Sequence, residues 1–439
     1  MRKAARRIVE KLRLHGQEAF FAGGWVRDFL LRRKPKDIDI ATSALPDEVI
    51  RLFPNSRAIG AQFGVVQVVL YGRAYEVTTF RSDSDYTDGR HPSAVTFSGP
   101  EQDAVRRDFT INGLFYDPIG NRLIDYVHGR ADIQNRLIRT IGNPCARFTE
   151  DKLRMLRAVR FSCDLGFAIV PETWEAIKQL APEIVQISHE RIRDELTRLF
   201  TGPAPDRALD LLYTSGLMQH ILPEIAALRG VAQSVEAHPG MDVFEHTRNA
   251  LARLRKPSLC LAFATLLHDV GKAHVYSAEE PACFSQHARA GGKISEEIGR
   301  RLRMSNEEIG QIVDLVTAHE DFIRIGELRE SARRRLLLKR NIADHLELLR
   351  VNSLSNRKSL ETYSKCMESL EKNGRESTPL IRGEDLLQMG FPAGPLIGTI
   401  LRDVEDLQFE GELKTREEAL RHVKASYRPE SEPLPKSED

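Results

Sequence analysis

The chain has 439 residues, of which 41% are hydrophobic and 29% are charged, a composition typical of globular proteins with a sizeable core. Its 64 Lys and Arg against 63 Asp and Glu leave a formal net charge of +1, so the overall charge indicates neither a nucleic-acid-binding protein nor an acidic tail. The sequence shows no apolar run near the roughly 18 residues of a membrane-spanning helix, no apolar secretory signal and no C-x-x-C pair. These features exclude a secreted, membrane-spanning or fibrous protein, and the scattered Cys residues favour a reducing, cytoplasmic location.

The first 130 residues are predicted to form mixed α/β structure. Helical periodicity, β-branched runs and turn residues predict the following order: a helix at 2–14, an apolar segment ending in Gly23-Gly24, a helix at 25–31, a strand at 37–41, strands at 65–70 and 73–80 around a Tyr71-Gly72 turn, and a long polar loop at 81–106. From about residue 148 the pattern is that of one helix after another. The sequence therefore predicts an α+β fold, in which a head with a small β-sheet precedes a helical remainder.

Composition shifts suggest the domain boundaries. We place a catalytic head at 1–140, a helical neck at 141–205, a helical body at 206–355, a helical tail at 356–426 and a disordered, Pro-rich end at 427–439. Basic residues are concentrated in residues 1–34 and in a second cluster, Arg333-Arg334-Arg335 with Lys339 and Arg340. Either cluster is a candidate surface for a phosphate backbone, although such clusters are also common on solvated helix faces.

The most informative acidic residues are Asp37 and Asp39. On one strand, side chains two apart share a face, with α-carbons roughly 6.5–7 Å apart. Two such carboxylates can hold a pair of divalent ions about 3.5–4 Å apart, as in phosphoryl and nucleotidyl transfer. Glu76, in the later strand, either supports this pair or faces solvent. Gly23-Gly24 is placed to bring bare backbone N–H groups to a triphosphate.

These residues fall in a series of motifs that resembles the class II tRNA nucleotidyltransferases and the bacterial poly(A) polymerases. The matching segments, in chain order, are Gly23-Gly24-x-Val-Arg27-Asp28, Asp37-x-Asp39-x-Ala-Thr-Ser-Ala44, Glu76-Val-Thr-Thr-Phe-Arg81, Arg106-Arg-Asp-Phe-Thr-Ile-Asn112, the connector 132–139 and Glu150-Asp151-x-x-Arg154-Met-Leu-Arg157. The resemblance covers about the first 200 residues strongly and the rest more loosely.

The resemblance implies roles for individual residues. Asp37 and Asp39 would hold Mg²⁺, with Glu76 as the third catalytic acid. The remaining implied residues would bind the nucleotide, with CTP and ATP as substrates and tRNA as the partner: Gly23, Gly24, Arg27, Arg107, Asp108, Asn112, Asp151, Arg154 and Arg157. No membrane is implied, and the sequence leaves the oligomeric state open.

Asp151 and Arg154 also have a physical rationale as the selecting pair. Their i, i+3 spacing predicts neighbours on one helix face. An Asp accepts from the exocyclic amine that cytosine and adenine share, and an Arg donates to the adjacent ring acceptor, whereas uracil and guanine would leave these groups unpaired at roughly 1–3 kcal/mol each. The protein itself can thus serve as template.

The activity within this family has three alternatives. The chain could add the whole CCA end, add only the terminal A after a separate CC-adding enzyme, or act as a poly(A) polymerase. The segment Tyr86–Pro92 resembles the family's flexible loop, which favours an enzyme that adds A as well as C. No Leu-rich extension precedes Arg106, which argues against a polymerase.

A second constellation lies in the predicted body. His246, His268-Asp269, His287 and His319 resemble an HD domain, in which His and Asp bind a divalent or transition metal for phosphoester hydrolysis. We expect His246, His268 and Asp269 to form this second metal site. The position of the family's distal Asp is taken by Asn352, a weaker metal ligand. Phosphohydrolysis, as a second or main activity, is therefore a hypothesis, and packing or RNA support is the alternative.

Overall fold

The structure is a computed structural model and describes residues 1–60, 64–86, 92–233, 240–275, 286–353, 357–373 and 378–428. The chain divides into two compact units. The first comprises Met1–Gly230, Arg255–Ala262 and Glu297–Ser305, and the second comprises Val231–Leu254, Phe263–Glu296 and Asn306–Asp439. The predicted α+β class is confirmed, because a mixed β-sheet with helices is followed by a largely helical region.

All named strands belong to the first unit. They are β1 (Ala19–Ala22), β2 (Asp39–Thr42), β3 (Ser56–Gly60), β4 (Val65–Leu70), β5 (Arg73–Thr79), β6 (Arg81–Tyr86), β7 (Pro92–Phe97), β8 (Leu114–Asp117), β9 (Arg122–Asp125), β10 (Leu137–Ile138) and β11 (Ala168–Ile169). Seven of them form one sheet in the order β3-β4-β5-β2-β1-β8-β9. Within this sheet β2 and β5 are parallel, and the other paired strands are antiparallel.

The helices of residues 1–230 cover the sheet region and continue as a helical stretch. They are α1 (Arg2–Leu14), α2 (Gly24–Leu30), α3 (Pro46–Leu52), α4 (Pro100–Val105), α5 (Gly129–Asn135), α6 (Pro144–Glu150), α7 (Leu153–Leu165), α8 (Pro171–Leu180), α9 (His189–Phe200), α10 (Pro205–Thr214), α11 (Leu217–Ile221) and α12 (Pro223–Ala226). Short 3-10 segments lie at Thr110–Asn112 and Ala181–Gln186. In α1 the buried residues recur at helical spacing (Ala4, Ala5, Ile8, Val9 and Leu12), as its sequence predicts.

The rest of the chain is helical where the structure describes it. Its helices are α13 (Val243–Ala252), α14 (Leu259–Leu267), α15 (Lys272–Val275), α16 (His287–Arg301), α17 (Asn306–Ile323), α18 (Glu330–Leu337), α19 (Ile342–Ser353), α20 (Arg357–Asn373), α21 (Gly383–Gln388), α22 (Pro395–Glu410) and α23 (Arg416–Ser426), with a 3-10 turn at Ile325–Glu327. In the second unit, Phe322 and Leu349 belong to one buried cluster, and Leu386 and Val423 belong to another near the C-terminus.

The predicted hairpin at residues 65–80 is present. β4 and β5 are antiparallel, and the two residues between them, Tyr71 (φ 51°) and Gly72 (φ 71°), adopt the left-handed conformation that two-residue hairpin turns require. The fully buried strand β1 is central in the sheet, and its Phe20 ring lies 6.1 Å from that of Phe80 and 6.2 Å from that of Phe115. This aromatic cluster is the core beneath the sheet strands that carry the candidate site.

Two sequence predictions about this region are wrong. The strand predicted at 37–41 begins only at Asp39. The polar stretch 81–106 is not a loop, because β6 and β7 pair as an antiparallel ribbon and α4 follows. Residues 87–91 of the predicted flexible loop and residues 429–439 of the predicted disordered end lie outside the described part of the chain.

The basic cluster at Arg333–Arg335 is paired with acids. Arg333 and Arg334 bind Glu330, and Arg335 binds Asp406 at 2.9 Å. These pairs tie α18 to its own first turn and to α22. The pairing favours a role in helix packing over a free phosphate-binding surface.

None of the described helices combines the length and apolar character needed to cross a bilayer. Cys145, Cys163, Cys260 and Cys366 are free thiols.

Candidate functional site

An acidic edge forms where β2 begins beside the middle of β5. Ile40 of β2 lies opposite Val77 of β5, so the residues one position earlier, Asp39 and Glu76, lie side by side. Asp37 precedes β2 by two residues and is exposed, and Ile38 between the two aspartates is buried. The sheet register thus brings Glu76 to the pair that the sequence singles out.

The charges at this edge act on one another. Burial and the charges of Asp37 and Glu76 together raise the pKa of Asp39 to about 6, against the opposing charge of Arg107. Three neighbouring carboxylates offer the hard oxygen donors that Mg²⁺ prefers, and a divalent cation would relieve their repulsion. The chemistry of the donor set therefore fits the predicted metal.

A glycine turn brings the backbone close to an arginine. Gly23 has φ 64°, a conformation that residues with a side chain rarely adopt, and it precedes α2. A Cβ atom at Gly23 would lie 3.0 Å from Nη1 of Arg107. The glycine is therefore required by both the backbone conformation and the approach of this guanidinium group.

Two further predicted arginines are fixed by carboxylate or amide partners. Arg27 Nη1 donates to Oδ1 of Asn112 at 2.8 Å, and its Nε donates to Asp28 at 2.9 Å. Arg157 donates from Nε and Nη2 to Oδ2 of Asp108 at 2.8 and 2.6 Å. The donors lie on α2 and α7, far apart in sequence from the residues of the segment 108–112 that they bind.

Asp108 is the buried centre of these contacts. Its Oδ1 accepts from Nδ2 of Asn112 at 3.0 Å and from the backbone N–H of Phe109 at 2.8 Å. Although burial favours the neutral acid, the charge of Arg157 and these hydrogen bonds lower the pKa of Asp108 to about 2. Asp108 is therefore ionised and keeps Arg157 and Asn112 in place.

Asp151 and Arg154 do not share a helix, so this part of the sequence prediction is wrong. α6 ends at Glu150, Asp151 has an extended backbone (φ −147°, ψ 104°), and α7 begins at Leu153. The physical reason is that Oδ1 of Asp151 accepts from the backbone N–H of Leu153 at 3.1 Å, a side-chain cap that competes with helix continuation.

Asp151 and Arg154, the two candidates for base selection, are each oriented by different partners. Oδ2 of Asp151 accepts from Nη2 of Arg191 at 2.8 Å. Nη1 of Arg154 donates to Oε2 of Glu150 at 2.6 Å and to the backbone oxygen of Arg147 at 3.0 Å. Each member is oriented before any ligand is present, by partners that the sequence spacing alone does not indicate.

One cavity of about 510 Å³ collects these groups within the first unit. Its lining includes ten of the predicted residues: Gly23, Gly24, Arg27, Asp39, Arg107, Asp108, Asn112, Asp151, Arg154 and Arg157. Glu76 lines an adjoining cavity of about 270 Å³, which shares Asp39 and Arg107 with the first, and Asp37 is in neither lining. The larger lining carries seven arginines against three aspartates, which suits a polyanionic ligand.

Five lining residues are not among the predicted site residues: Arg81, Arg106, Leu153, Phe161 and Arg191. Arg106 and Arg81 lie within the matched motifs, Arg106 next to Arg107 and Arg81 at the end of the Glu76 motif, so the sequence could have indicated both. Arg191 lies 40 positions from Asp151 in sequence and had no such signal.

The histidines of the second unit form two ligand sets around one carboxylate. His246, His268 and Asp269 have ligand atoms within 4.8 Å of one another, and so do Asp269, His287 and His319. All five residues are buried. The sequence predicts a metal site only for the first set, and the structure adds His287 and His319 to the cluster.

The ring orientations in this cluster suit metal binding. Nδ1 of His268 and Nδ1 of His319 lie 2.8 and 2.6 Å from the backbone oxygens of Thr265 and Val316, so each Nε2 faces the ligand set and would bind a metal in its unprotonated form. Both Nε2 atoms point toward a carboxylate oxygen of Asp269, at 3.4 Å for His268 and 3.6 Å for His319. The donor set of imidazoles and one carboxylate fits Zn²⁺, Ni²⁺, Mn²⁺ or iron.

Asp269 is held by a lysine as well. Nζ of Lys272 donates to its Oδ2 and to Oε1 of Gln233, both at 2.7 Å. The neighbouring charges of His268 and Lys272 keep the pKa of Asp269 well below its usual range despite complete burial. Asp269 is therefore ionised and available to both ligand sets.

Comparison with known families agrees with this arrangement. Residues 19–139 match the family described as "Poly A polymerase head domain", residues 166–228 match "Probable RNA and SrmB- binding site of polymerase A", and residues 237–349 match "HD domain".

Individual relatives extend these matches over nearly the whole chain. The CCA-adding enzyme of Geobacillus stearothermophilus is 50% identical over 220 residues, which span 50% of this chain and only 54% of that enzyme, about half its length. The CCA-adding enzyme of Bacillus cytotoxicus is 33% identical over 425 residues, which span 95% of this chain and 97% of that enzyme. The solved structure of the Bacillus stearothermophilus CCA-adding enzyme in complex with CTP is 31% identical and superposes with a TM-score of 0.72, covering 96% of this chain and 98% of that one. This protein therefore belongs to the family of CCA-adding enzymes.

Proposed function

We propose that this protein is a metal-dependent nucleotidyltransferase that builds or repairs the CCA end of tRNA from CTP and ATP. The observation that supports this most is the single cavity in which Asp39, an arginine-rich wall and the pair Asp151/Arg154 meet. The solved relative that is 31% identical to this chain binds CTP, which supports CTP as a substrate. The free thiols are compatible with a cytoplasmic location.

The acidic edge would bind the cation and the reacting groups. Asp37 and Asp39 would hold Mg²⁺ with Glu76 beside them, and the bound ion would supply Lewis-acid activation of the tRNA 3′-hydroxyl and neutralise phosphate charge. The 3′-oxygen attacks the α-phosphorus, the bond from that phosphorus to the bridging oxygen breaks, and pyrophosphate leaves. The residues of this chain contribute positioning and electrostatics, as in other phosphoryl transfers.

The cavity wall would bind the triphosphate and sugar. Gly23 and Gly24 let the phosphates approach the backbone, and Arg27 and Arg107 present guanidinium groups toward them. Asn112 and Asp108 lie where the sugar and phosphates would contact the wall, and Arg157 is held there by Asp108. Pre-oriented donors of this kind need little reorganisation when the transition state forms.

The base would be read by Asp151 and Arg154. A carboxylate oxygen of Asp151 would accept from the exocyclic amine of cytosine or adenine, and Arg154 would donate to the ring nitrogen beside it. Because Arg191 and Glu150 orient these two groups, a base with the opposite donor and acceptor pattern would leave buried polar groups unpaired.

The test uses single nucleotides and defined tRNA ends. The protein is incubated with CTP, ATP, UTP or GTP alone and with tRNA that lacks CCA, ends in C, ends in CC or is complete, and the products are resolved at single-nucleotide length. We expect addition of two C and one A, no addition to complete tRNA, and little use of UTP or GTP. Addition of A only to the CC end would indicate an A-adding enzyme, and long A tails would indicate a poly(A) polymerase.

A matched pair of variants ties the activity to the acidic edge. Asp37→Ala should abolish nucleotide addition while tRNA binding persists, because it removes a carboxylate from the cation site. Asp47→Ala removes an exposed acid from the first turn of α3 and should retain activity. Equal activity in the two variants would overturn the assignment.

We propose, second, that the His/Asp cluster gives this protein a metal-dependent phosphohydrolase activity. The two ligand sets that share Asp269 favour this over a packing role, since buried imidazoles converging on one carboxylate have no packing advantage. Phosphatase activity should appear with added Ni²⁺ or Mn²⁺ and disappear in His268→Ala, which should still add nucleotides. Absence of metal binding and of hydrolysis in the wild-type protein would refute this second activity.

A further inference from the structure

One acid has no role in the family motifs given above. It lies directly behind Arg106 and Arg107, which line the large cavity. Asp103 is in α4, and only 1% of its surface is exposed. It lies three residues before Arg106 and four before Arg107, so both side chains can reach it from the end of the same helix.

Each oxygen of the carboxylate holds one arginine. Oδ1 accepts from Nε of Arg106 at 2.9 Å and from its Nη2 at 2.8 Å. Oδ2 accepts from Nη2 of Arg107 at 2.9 Å and from its Nε at 3.3 Å. The same Oδ1 lies 3.4 Å from the backbone N–H of Arg81, the first residue of β6. Asp103 therefore contacts all three arginines that line both cavities.

Arg107 is fixed on its remaining sides too. Its Nη1 donates to the backbone oxygen of Asn112 at 3.3 Å, and its guanidinium carbon lies 5.0 Å from the ring centre of Phe115. The charges of the two arginines lower the pKa of Asp103 although the group is buried, so the acid is ionised. Burying an ionised acid with two cationic partners carries a desolvation penalty. The arrangement is therefore weak evidence for a role in stability and favours a role in positioning the arginines.

We propose that Asp103 is a positioning residue that holds Arg106 and Arg107 in the orientation that receives the triphosphate. This inference rests on the proposed nucleotidyl transfer and adds a residue to it. Asp103 does not itself reach the nucleotide, because it is buried and lines neither cavity. Its effect should fall on the phosphates, which CTP and ATP share, and not on the base.

The experiment compares Asp103→Asn with Asp117→Asn. The Asn side chain keeps the size of Asp103 and one acceptor oxygen but loses the charge and the acceptor for one of the two arginines. Asp117 is a suitable control because it is also buried and pairs with Arg13 at 3.0 Å, yet it lines neither cavity. Circular dichroism and the melting temperature report whether each variant is folded.

For Asp103→Asn we expect the KM for CTP and the KM for ATP to rise by the same factor, roughly tenfold, because charge-assisted bonds are among the strong ones. The inhibition constant of inorganic pyrophosphate should rise with them, whereas the KM for tRNA should stay within about twofold of the wild type. In a background that carries both Arg106→Gln and Arg107→Gln, Asp103→Asn should add little, since the acid acts through those two arginines.

Nucleotide and pyrophosphate constants equal to those of Asp117→Asn would overturn the proposal, and so would a fall in kcat alone. If Asp103→Asn does not fold, Asp103→Glu replaces it: the charge is kept but displaced by one methylene, and an unchanged nucleotide KM in that variant also overturns the proposal. A wild-type protein that adds no nucleotide at all would refute the proposed function instead, so the two failures are distinguishable.

Discussion

Asp39 and Asp108 line the same cavity, yet their surroundings shift their pKa values in opposite directions. Repulsion and burial raise the pKa of Asp39 to about 6, whereas Arg157 and two hydrogen bonds lower that of Asp108 to about 2. The difference separates two kinds of residue: Asp108 stabilises the fold of the empty site, and Asp39 destabilises it until a cation arrives.

The variant Asp39→Asn should therefore stabilise the metal-free protein. The folded pKa of about 6 lies above the roughly 3.9 of an unfolded Asp, so the protonated form contributes stability that is fully present below about pH 4 and is lost as the pH rises through 6. At pH 8 the Asn variant should be more stable by about 1–2 kcal/mol, a value reduced for solvent screening of a partly exposed group.

Thermal unfolding from pH 4 to pH 8 measures this effect. The melting temperatures of Asp39→Asn and wild type should converge at low pH, and Mg²⁺ should raise the melting temperature of the wild type only. A variant that is less stable at pH 8, or that is stabilised by Mg²⁺ as strongly as the wild type, would contradict the role assigned to Asp39.

Asp108→Asn should have the reverse pH dependence. The folded pKa of about 2 lies below that of an unfolded Asp, so the contribution of Asp108 is present above about pH 4 and is lost as the pH falls toward 2. Urea unfolding should show a loss of about 2–3 kcal/mol at pH 7 that shrinks at pH 3. The exposed control Asp47→Asn should lose stability toward low pH as the wild type does. If its free energy of unfolding also became less dependent on pH below 4, Asp108 would have no special role.

Candidate site residues can be identified from the sequence where the pattern is local. The spacing of Asp37 and Asp39 and the glycine pair could be interpreted directly, and the raised pKa of Asp39 agrees with a crowded acidic edge. Partners distant in sequence could not be predicted. Arg191 binds Asp151 although the two are 40 positions apart, and local sequence patterns do not indicate such a contact.

At the scale of elements, close backbone approaches decide which groups can meet. Gly271 follows the His268-Asp269 pair by two residues and packs against α16, where a Cβ atom would lie 2.1 Å from the backbone oxygen of His287 and 2.7 Å from the nitrogen of Gly291. The glycine lets the two segments that carry the two ligand sets come together. Helical periodicity predicts both segments but does not report their separation.

Gly271→Ala should consequently disperse the cluster. The added methyl group meets backbone atoms that cannot move aside, so α16 must shift and His287 with it. We expect the stoichiometry of bound Ni²⁺ or Mn²⁺, measured by mass spectrometry after desalting, to fall at least several-fold. Gly310→Ala in α17, where nothing lies within 4 Å of the added atom, should bind metal as the wild type does. Equal metal content in both variants would show that the close approach is not required.

The paired arginines of α18 lead to a prediction about tRNA affinity. Arg335 is engaged by Asp406 at 2.9 Å and by the backbone oxygen of Arg402 at 2.7 Å. Arg335→Gln should lower the melting temperature but leave the salt dependence of tRNA binding unchanged, because this charge is already neutralised within the protein. A loss of about one from the slope of log affinity against log salt would instead indicate a phosphate contact.

Predictions of helices and strands are wrong where strand pairing or a side-chain cap outweighs the local sequence pattern. The stretch 81–106 is polar and contains Gly and Pro, which predicts a loop, yet pairing between β6 and β7 satisfies its backbone groups. Likewise, the carboxylate of Asp151 interrupts the helix that its spacing with Arg154 predicts. In both cases tertiary or capping interactions outweigh the local pattern.

For the whole molecule, composition and periodicity were sufficient for the class. The change from strand-rich to helical sequence near residue 148 predicts an α+β protein, and the sheet and the helices that follow confirm it. The order of the strands could not be derived in this way, because the parallel β2–β5 pair joins segments that are separated by 30 residues, 43–72. The domain boundaries proposed from composition stay predictions.

The arginine excess of the large cavity has a consequence for measurements in solution. Seven guanidinium groups against three carboxylates give the lining an excess of positive charge, which Asp28, Asp103 and Glu150 offset in part from outside the lining and which buffer anions would balance further. Loading a nucleotide is then an exchange of anions, and the medium competes for the same wall. At equal ionic strength, sulfate or phosphate buffers should weaken apparent CTP and ATP affinity more than chloride does, and a set of titrations in the three salts would reveal whether the wall is as electropositive as its lining indicates.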